Sequence, residues 1–393
     1  MDTAFDLTAL LAAAEQATGL SDWGLPDCRG NFGVLLASLN ETGHLNAVGR
    51  QALSSRIHAT LCNRLKIIDD RKRHAEIAAQ RIERPIIVLG MGRTGSTNLL
   101  DLLARDPANR VPQLWEVMMP SPPPQRSSYA CDPRVSLVQH ALDAQGFDDP
   151  ELQAAHPFSA TLPEECGAIY EFMGASGNYC AFANTPRYTH WHAHEANFTA
   201  VFQFHRMFLQ HLQSHCASTR WALKSPENIW HPEEMIAAYP DALFIHTHRD
   251  PGQVLPSLVS LFRSLRCAFA EPDTVDVLQI AREQISHNVL ALERTWQARQ
   301  AAAVRDRIYD IYFSDLVMQP LATIEKLYSH FDLEFSDGAR AAMQRYVTTE
   351  AKAKHGHGRH HYSMAEFGFT NDMIDTAFRP YMQRYGIAPE QRR

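Results

Sequence analysis

The chain has 393 residues, of which 45% are hydrophobic and 21% charged, and its formal net charge is −7. This is the composition of an ordinary soluble globular protein, so disorder is not the default expectation. The negative charge argues against a general binder of nucleic acids or membrane surfaces, because such proteins are normally basic. We therefore expect no nucleic-acid or membrane partner, and any anionic ligand has to be held by a local pocket.

The cysteines and the first residues of the chain indicate the cellular compartment in which we expect the protein. The seven cysteines are scattered, odd in number and without a CxxC pair, which suggests neither a zinc site nor a disulfide framework. The opening residues are acidic where a secretory signal would be basic, and no apolar run approaches the ~18 residues of a membrane span. We expect a soluble, cytoplasmic protein with reduced thiols. The sequence leaves open whether the chain forms a homo-oligomer.

Residues 1–80 are predicted to be helical. Apolar residues there recur at spacings of four and three and form one stripe. The stripe consists of Leu53, Ile57, Leu61, Leu65 and Ile68. Arg56 and Arg64 fall between these positions, and we expect them on a solvated outer face. The predicted organisation is a helical N-terminal extension, residues 1–80, followed by an α/β domain, residues 81–393.

After residue 80 the pattern becomes that of alternating strands and helices. Residues 85–90 are a short apolar run bounded by proline and glycine, which is typical of a buried parallel strand. A loop and a helix at 96–105 follow, and this is the start of a βαβ unit. Further strands are predicted at 221–224, 243–247 and 308–313, with helices at 198–212, 231–239, 252–265 and 321–331. The fold class is α/β, a P-loop-type parallel sheet flanked by helices.

The segment from Gly90 to Thr97 has the spacing of a phosphate-binding P-loop, G-x-x-x-x-G-K-[ST], except at one position. Ser96 stands where an ATP or GTP hydrolase has lysine. The backbone amides and the following helix N-terminus still form an anion cradle. Without the lysine that reaches the β- and γ-phosphates, the loop suits a nucleotide with a single 5′-phosphate. The alternative is a glycine-rich turn without special purpose.

The run Gly-x-x-Arg-Thr-Gly-Ser-Thr after a strand resembles the 5′-phosphosulfate loop of sulfotransferases that use 3′-phosphoadenosine-5′-phosphosulfate (PAPS). The resemblance implies that consecutive loop residues bind the nucleotide. These are Gly92, Arg93, Thr94, Gly95, Ser96 and Thr97. The family commonly has proline where this chain has Gly92, a departure that affects loop stiffness more than chemistry.

A second motif is similar to that family. The run His248 to Pro251 follows a predicted strand, and Ser257 comes eight residues after Arg249. The resemblance implies that Arg249 and Ser257 grip the 3′-phosphate, and the guanidinium fork of arginine suits that role. The alternative is an ordinary surface turn. The resemblance extends over nearly the whole chain and points to a bacterial sulfotransferase-like group with an N-terminal helical extension.

Sulfuryl transfer requires alignment, stabilisation of charge at the bridging oxygen and a base for the acceptor. No metal is required, because fixed cations can stabilise a phosphate leaving group. Arg93 is the natural contact to the bridging and 5′-phosphate oxygens. Lys224 ends a predicted strand, where α/β sites gather their ligands, and a resemblance to the K-x-P element of tyrosylprotein sulfotransferases implies that it assists the sulfuryl group. A strand-end lysine reaching water is the alternative.

The base has three candidates. Glu116 is the first choice, since its offset from the loop resembles that of the glutamate base in tyrosylprotein and related bacterial sulfotransferases. The alternative for Glu116 is a packing element with a surface salt bridge. His156 and Glu165 are rivals in the predicted acceptor loop. His205 lies on the apolar stripe of its helix, so we interpret it as a core histidine.

The segment from Lys354 to His361 is rich in histidine but is broken by glycine and has no acidic or cysteine partner. A basic lid over the nucleotide fits it better than a metal site, and Arg359 is the candidate for the 3′-phosphate. Aromatic residues of the variable region suggest a partly apolar acceptor, although core packing explains most such residues. They are Trp115, Tyr170, Tyr179, Phe182, Tyr188 and Trp191.

The sequence thus predicts a sulfotransferase that moves a sulfuryl group from PAPS, in line and with a general base, to a hydroxyl or amine of a small-molecule acceptor. The product nucleotide is adenosine 3′,5′-bisphosphate (PAP). Two alternatives stay open. One is a P-loop kinase of small molecules, against which the missing lysine weighs, and the other is a catalytically idle nucleotide-binding protein.

Overall fold

The structure, a computed structural model, describes residues 4–144, 159–350 and 364–390. Its centre is a five-stranded, all-parallel sheet with the order β2-β3-β1-β4-β5. The strands are β1 (Ile86–Leu89), β2 (Asn109–Arg110), β3 (Arg220–Lys224), β4 (Leu243–His248) and β5 (Ile308–Tyr312). The predicted α/β fold is confirmed.

The strand order makes β1 the centre of the sheet. Ile86 pairs with Ala222 of β3 on one side and with Leu243 of β4 on the other. The chain therefore continues from β1 toward one edge of the sheet, returns through β3, and crosses β1 to reach β4. In open parallel sheets such a reversal leaves a crevice at the carboxyl ends of the strands, and ligands bind there.

Helices cover both faces of the sheet. Those in the first part of the chain are α1 (Leu7–Thr18), α2 (Arg29–Thr42), α3 (Ala47–Arg73), α4 (Ala75–Ala78), α5 (Ser96–Leu103), α6 (Leu114–Met118), α7 (Pro133–Ala144), α8 (Cys166–Tyr170), α9 (Asn178–Phe182), α10 (Pro186–His194) and α11 (Phe198–Gln213). Those after β3 are α12 (Pro232–Ala238), α13 (Pro251–Phe269), α14 (Val277–Ala298), α15 (Ala302–Arg305), α16 (Phe313–Met318), α17 (Pro320–His330), α18 (Asp337–Arg345) and α19 (Asn371–Tyr385).

Alternate residues of β1 enter two different apolar cores. Ile87 and Leu89 belong to the larger core, while Ile86 and Val88 belong to the smaller one. This follows from the two-residue period of a strand that is buried on both faces. The larger core also contains the predicted stripe of α3, all of whose residues are buried. The helices of residues 1–80 thus share one core with the sheet, and the boundary after residue 80 stays a prediction about chain organisation.

The four predicted strands and the helices predicted after residue 95 are confirmed with small shifts of their ends. Several elements were not predicted, among them β2 and α14. β2 is only two residues long, and α14 spans twenty-two residues. All seven cysteines are unpaired, as expected. Within the described residues, the structure contains no helix with the length and apolar character that a bilayer span requires.

The prediction that Arg64 lies on a solvated face is wrong. Its side chain has no exposed surface, and it donates to the carbonyl oxygens of Trp23 at 3.1 Å, Pro26 at 2.5 Å and Phe172 at 3.3 Å. The guanidinium also lies 4.5 Å from the centre of the Phe204 ring. Arg64 therefore joins the segment before α2, the segment after α8 and α11 through α3.

We predict that Arg64→Leu lowers the free energy of unfolding by about 2–4 kcal/mol, because three buried carbonyl groups lose their hydrogen-bond donor. The variant no longer buries a charge, and this gain offsets only part of the loss. Urea unfolding followed by circular dichroism measures this change. The matched control is Arg81→Leu, since Arg81 is 84% exposed and pairs only at the surface with Glu83. Equal unfolding midpoints for the two variants would contradict the role assigned to Arg64.

Candidate active site

The phosphate loop begins where β1 runs closest to β4. Gly90 has a φ of +132°, and a Cβ at this position would lie 2.3 Å from Oγ1 of Thr247 and 2.7 Å from its carbonyl oxygen. Both the backbone angle and the contact with β4 therefore require glycine. The approach brings the end of β1 beside the residues that precede Arg249.

The tip of the loop has left-handed backbone conformations. Arg93 has a φ of +67° and Gly95 a φ of +87°. A non-glycine residue in this region is strained, and such strain concentrates at functional sites. Helix α5 begins at Ser96, so its first N–H groups, which have no partner within a helix, lie next to the loop. Loop and helix end together can hold an anion.

Thr94 braces the loop from inside. Its side chain is fully buried, and its hydroxyl donates to the carbonyl oxygen of Met91 at 2.7 Å. Oγ1 of Thr247 lies 2.7 Å from the hydroxyl of Thr94 and 3.1 Å from the carbonyl oxygen of Leu89, and its single proton can be donated to either. The hydroxyl of Thr94 thus connects the loop to β4. Because the hydroxyl is engaged within the protein, the backbone N–H of Thr94 is the group that can donate to a ligand.

The structure brings the second motif into contact with the loop. Nε of Arg93 donates to Oγ of Ser257 at 2.9 Å, and a terminal nitrogen of Arg249 donates to the carbonyl oxygen of Arg93 at 3.3 Å. Gly92 also packs closely on α13, because a Cβ there would lie 3.0 Å from Leu258. The two predicted phosphate-binding groups are therefore direct neighbours, although more than 150 residues separate them in the sequence.

Arg249 is held on several sides. The face of its guanidinium lies 3.8 Å from the centre of the Phe313 ring, and its Nε and a terminal nitrogen donate to the carboxylate of Glu390 at 3.1 and 3.3 Å. The next residue, Asp250, caps α13, since one carboxylate oxygen accepts from the backbone N–H of Gly252 at 2.9 Å. This cap orients the helix that carries Ser257.

Lys224 lies at the carboxyl end of β3, beside β1. Only 3% of its side chain is exposed. Its Nζ donates to Oγ1 of Thr97 at 3.1 Å and forms a short ion pair with Glu165. The sequence left open a lysine that reaches water, and the structure has Lys224 buried against the phosphate loop instead. Glu165 is the more accessible partner, with 37% of its side chain exposed.

Glu116 has an environment that neither sequence hypothesis anticipated. It has no exposed surface, one of its oxygens accepts from Arg110 at 2.5 Å, and the other accepts from the backbone N–H of Gln113 at 3.0 Å. Arg110 is itself fixed by the carbonyl oxygens of Leu212 and Cys216. Glu116 thus belongs to a buried ion pair that starts α6, where a surface salt bridge was the expected alternative to catalysis.

Sequence reasoning passed over Glu164. Desolvation by the surrounding protein raises the pKa of its carboxyl to about 7, and the negative charges of Glu165 and Glu171 act in the same direction. The backbone N–H of Glu165 donates to this carboxyl at 2.8 Å. The two adjacent glutamates therefore have different environments, since Glu165 pairs with Lys224 while the charges of Arg56 and Glu171 act on Glu164, and the doubled acid in the sequence was the available signal.

Three further side chains could offer metal ligands: His246, His248 and Asp310. The pairing of β4 with β5 brings them together. Asp310 accepts from Nε2 of His248 at 2.9 Å, and Arg299 donates to both carboxylate oxygens at 2.9 Å. Since Arg299 already supplies a positive charge to this carboxylate, we interpret the group as an ion-pair network beneath Arg249.

Several residues that the sequence predicts for the site are not among the contacts around the phosphate loop. His156, Arg359 and the segment from Lys354 to His361 lie outside the described residues.

His205 is a core residue as expected, since it is buried and its Nδ1 lies 2.6 Å from the hydroxyl of Tyr239. Burial lowers the pKa of His205 to about 3.

The aromatic residues considered for the acceptor mostly serve packing. Four of them are almost fully buried, namely Trp115, Tyr170, Tyr179 and Tyr188. Tyr170, for example, packs edge-on against Phe198 and Phe202 of α11. These four therefore support the explanation by core packing, and they give little information about the acceptor.

The chain combines a parallel sheet of this strand order with a lysine-free phosphate loop and an adjacent arginine–serine pair, and comparison with known proteins assigns it to the transferases. The chain belongs to the Sulfotransferase family, whose model matches residues 85–337, well over half of the sequence.

Known relatives agree with this assignment. The chain is 24% identical, over 69% of its own length and 68% of the relative's, to the omega-hydroxy-beta-dihydromenaquinone-9 sulfotransferase Stf3 of Mycobacterium bovis. The structure is similar to that of sulfotransferase STF9 from Mycobacterium avium, with a TM-score of 0.90 and 26% identity over the whole of both chains. It is also similar to sulfotransferase STF1 from Mycobacterium tuberculosis, with a TM-score of 0.85 and 30% identity over 97% of this chain and all of that one.

We predict that Gly90→Ala destabilises the protein by about 2 kcal/mol or more, because the added methyl overlaps Thr247 and the backbone angle is unfavourable. Urea unfolding measures the loss. Gly30→Ala is the control, since a Cβ at Gly30 would meet no atom within 4 Å. If both alanine variants unfold like the parent, the close approach of β1 to β4 is not the constraint described here.

Proposed function

We propose that this protein transfers a sulfuryl group from PAPS to a hydroxyl of a small-molecule acceptor and releases PAP. The observation that carries the proposal is the hydrogen bond between Arg93 and Ser257. It joins the loop suited to a 5′-phosphate to the residues suited to a 3′-phosphate, as a nucleotide with both phosphates on one ribose requires. Membership of the Sulfotransferase family supports the same reaction.

The proposed division of labour follows the contacts. The backbone of residues 92–97 holds the 5′-phosphosulfate, and Arg249 with Ser257 holds the 3′-phosphate, with Arg359 as a further candidate. Arg93 and Lys224 stabilise the negative charge that develops on the departing phosphate, because both cations lie at the loop. The fixed cations take the place of a metal ion in this scheme.

We propose Glu165 as the base that accepts the proton of the acceptor. Lys224 contacts both Thr97 of the loop and Glu165, so this carboxylate lies one side chain away from the proposed sulfuryl position. Glu165 is also partly exposed, and an acceptor can reach it. Glu116, the first choice from sequence, is fully buried and both of its oxygens already accept hydrogen bonds, which makes proton exchange with a substrate difficult.

For the acceptor we propose an alcohol, with an amine as the alternative. The two Stf3 relatives are named as sulfotransferases of an omega-hydroxy menaquinone derivative. At 24% identity, this name supports a hydroxyl-bearing acceptor for the present chain but does not identify the molecule. A screen of hydroxyl and amine metabolites with radiolabelled PAPS identifies the acceptor. The unpaired cysteines are the reason for which we propose a cytoplasmic location.

We predict that PAP binds much more tightly than ATP or AMP, and without magnesium. Ser96 replaces the lysine that a triphosphate needs, while Arg249 and Ser257 favour a 3′-phosphate. Arg249→Ala removes a charge-assisted contact and is expected to weaken PAP binding about tenfold to hundredfold, while leaving AMP binding almost unchanged. Isothermal titration calorimetry measures each Kd.

The same titrations test the other two functions. Tighter binding of ATP than of PAP, with a requirement for magnesium, would favour a small-molecule kinase. Tight binding of PAP together with no transfer to any acceptor in the screen would favour an idle nucleotide-binding protein. The matched control for Arg249→Ala is Arg263→Ala, which removes an exposed arginine of the same helix region that pairs with Glu366.

We predict that Glu165→Gln lowers kcat on the identified acceptor by about 10²–10⁴-fold, the usual contribution of a general base. The Kd of PAP should change much less, since the substitution keeps the shape of the side chain. Glu116→Gln should act mainly on the free energy of unfolding, because it weakens a buried ion pair. Steady-state kinetics, calorimetry and urea unfolding separate the three quantities.

The base assignment has two clear contrary outcomes. If folded Glu116→Gln loses turnover while Glu165→Gln keeps it, the base is Glu116, as the sequence suggested. If His156→Ala abolishes turnover and both glutamine variants stay active, the site follows the histidine-based pattern of cytosolic sulfotransferases.

A further inference from the structure

Glu390 contacts both charged residues of the second motif. Its carboxylate accepts two hydrogen bonds from Arg249, at 3.1 Å from Nε and 3.3 Å from a terminal nitrogen. Its backbone N–H donates to a carboxylate oxygen of Asp250 at 2.9 Å. The other oxygen of Asp250 caps α13. One residue of the segment after α19 is therefore fixed on the arginine and on the helix cap that follows it.

The chain delivers Glu390 to this place through a defined turn. Helix α19 ends at Tyr385, and Gly386 takes a left-handed conformation with a φ of +62°. The backbone N–H of Ile387 donates to the carbonyl oxygen of Met382 at 2.9 Å, and the side chain of Ile387 packs against the larger core. The hydroxyl of Tyr312 donates to the carbonyl oxygen of Tyr385 at 2.9 Å, which ties the turn to the end of β5.

The carboxylate occupies the edge of the guanidinium that a phosphate would use. Phe313 covers one face of Arg249, and the carbonyl oxygen of Arg93 accepts from the other terminal nitrogen. The edge formed by Nε and the remaining terminal nitrogen carries Glu390. Paired hydrogen bonds to this edge are the geometry in which arginine binds either a carboxylate or a phosphate.

We infer that Glu390 competes with the 3′-phosphate of the nucleotide for Arg249 and so sets how tightly PAP is held. This inference rests on the proposed function, since it takes Arg249 as the 3′-phosphate ligand. The two anions repel each other and need the same pair of donors, so the carboxylate has to leave when the phosphate binds. The stacked Phe313 and the carbonyl of Arg93 keep the guanidinium in place during this exchange.

The expected effect is moderate. Glu390 is 40% exposed and Arg249 20% exposed, and ion pairs of this kind are favoured only about two- to fivefold over the open arrangement. Competition should lower the affinity for PAP by the same factor. A competitor inside the site also shortens the time for which PAP stays bound. This matters for turnover because product release is the slow step in many enzymes.

The test compares two nucleotides on two variants. Calorimetry is done with PAP and with AMP, which lacks the 3′-phosphate, on the full chain, on Glu390→Gln and on the control Glu366→Gln. Glu366 pairs with Arg263 at 2.8 Å, and the two side chains are about half exposed. We expect Glu390→Gln to tighten PAP binding about two- to fivefold, to leave AMP binding unchanged, and Glu366→Gln to change neither.

A third background checks that the effect passes through the arginine. In Arg249→Ala, the added Glu390→Gln should give no further gain for PAP, because the group under competition is gone. The inference is overturned if Glu390→Gln leaves PAP binding unchanged, weakens it, or tightens PAP and AMP equally, since the carboxylate would then be a structural clamp or a general repulsive charge. If the unaltered chain binds PAP no better than AMP, the 3′-phosphate site itself, and with it the proposed function, is wrong.

Discussion

The site depends on the close contact between β1 and β4 at Gly90 and Thr247. A side chain at Gly90 would overlap both the hydroxyl and the carbonyl of Thr247, so glycine allows the phosphate loop to leave β1 directly against β4. His248 ends β4, and Arg249 follows directly after the strand. The contact therefore determines that the loop and the arginine motif emerge side by side, and the bond of Arg93 to Ser257 follows from it.

Arg64, Arg110 and Glu116 differ from Lys224 in the partners of their buried charges. Arg64 donates to three backbone carbonyls, while Arg110 and Glu116 pair with each other and also bond backbone groups, so their desolvation is offset within the fold. Lys224 instead shares its charge with a loop hydroxyl and a partly exposed carboxylate. A buried cation whose partner is reachable from solvent can exchange that partner for a substrate, and this is the physical reason to place chemistry at Lys224.

Strand β1 is predicted from its apolar residues, whereas β2 and α14, two of the elements that the sequence did not predict, have polar residues on their buried faces. The strand at 86–89 has four buried apolar residues, as its apolar run predicts. β2 has only Asn109 and Arg110, and it exists through pairing with β3 at the sheet edge. The buried face of α14 includes Gln284, Asn288 and Thr295, which removes the apolar period by which helices are found. Arg64 was misplaced for the same reason, since its burial depends on carbonyls from distant segments.

The two cations assigned to the nucleotide outside the loop each have a glutamate of the chain as partner: Lys224 pairs with Glu165, and Arg249 pairs with Glu390. A cation in a low-dielectric site is costly without an anion, so these carboxylates stabilise the arrangement that the phosphates need. In the proposed reaction, donor binding replaces one anion by another at each cation, so the net electrostatic gain is smaller than the number of contacts suggests. In the proposed reaction, the exchange at Lys224 also frees the carboxylate of Glu165 to accept a hydrogen bond from the acceptor. The proposal thereby links donor binding to the proposed base through one buried lysine, which contacts both the loop and Glu165.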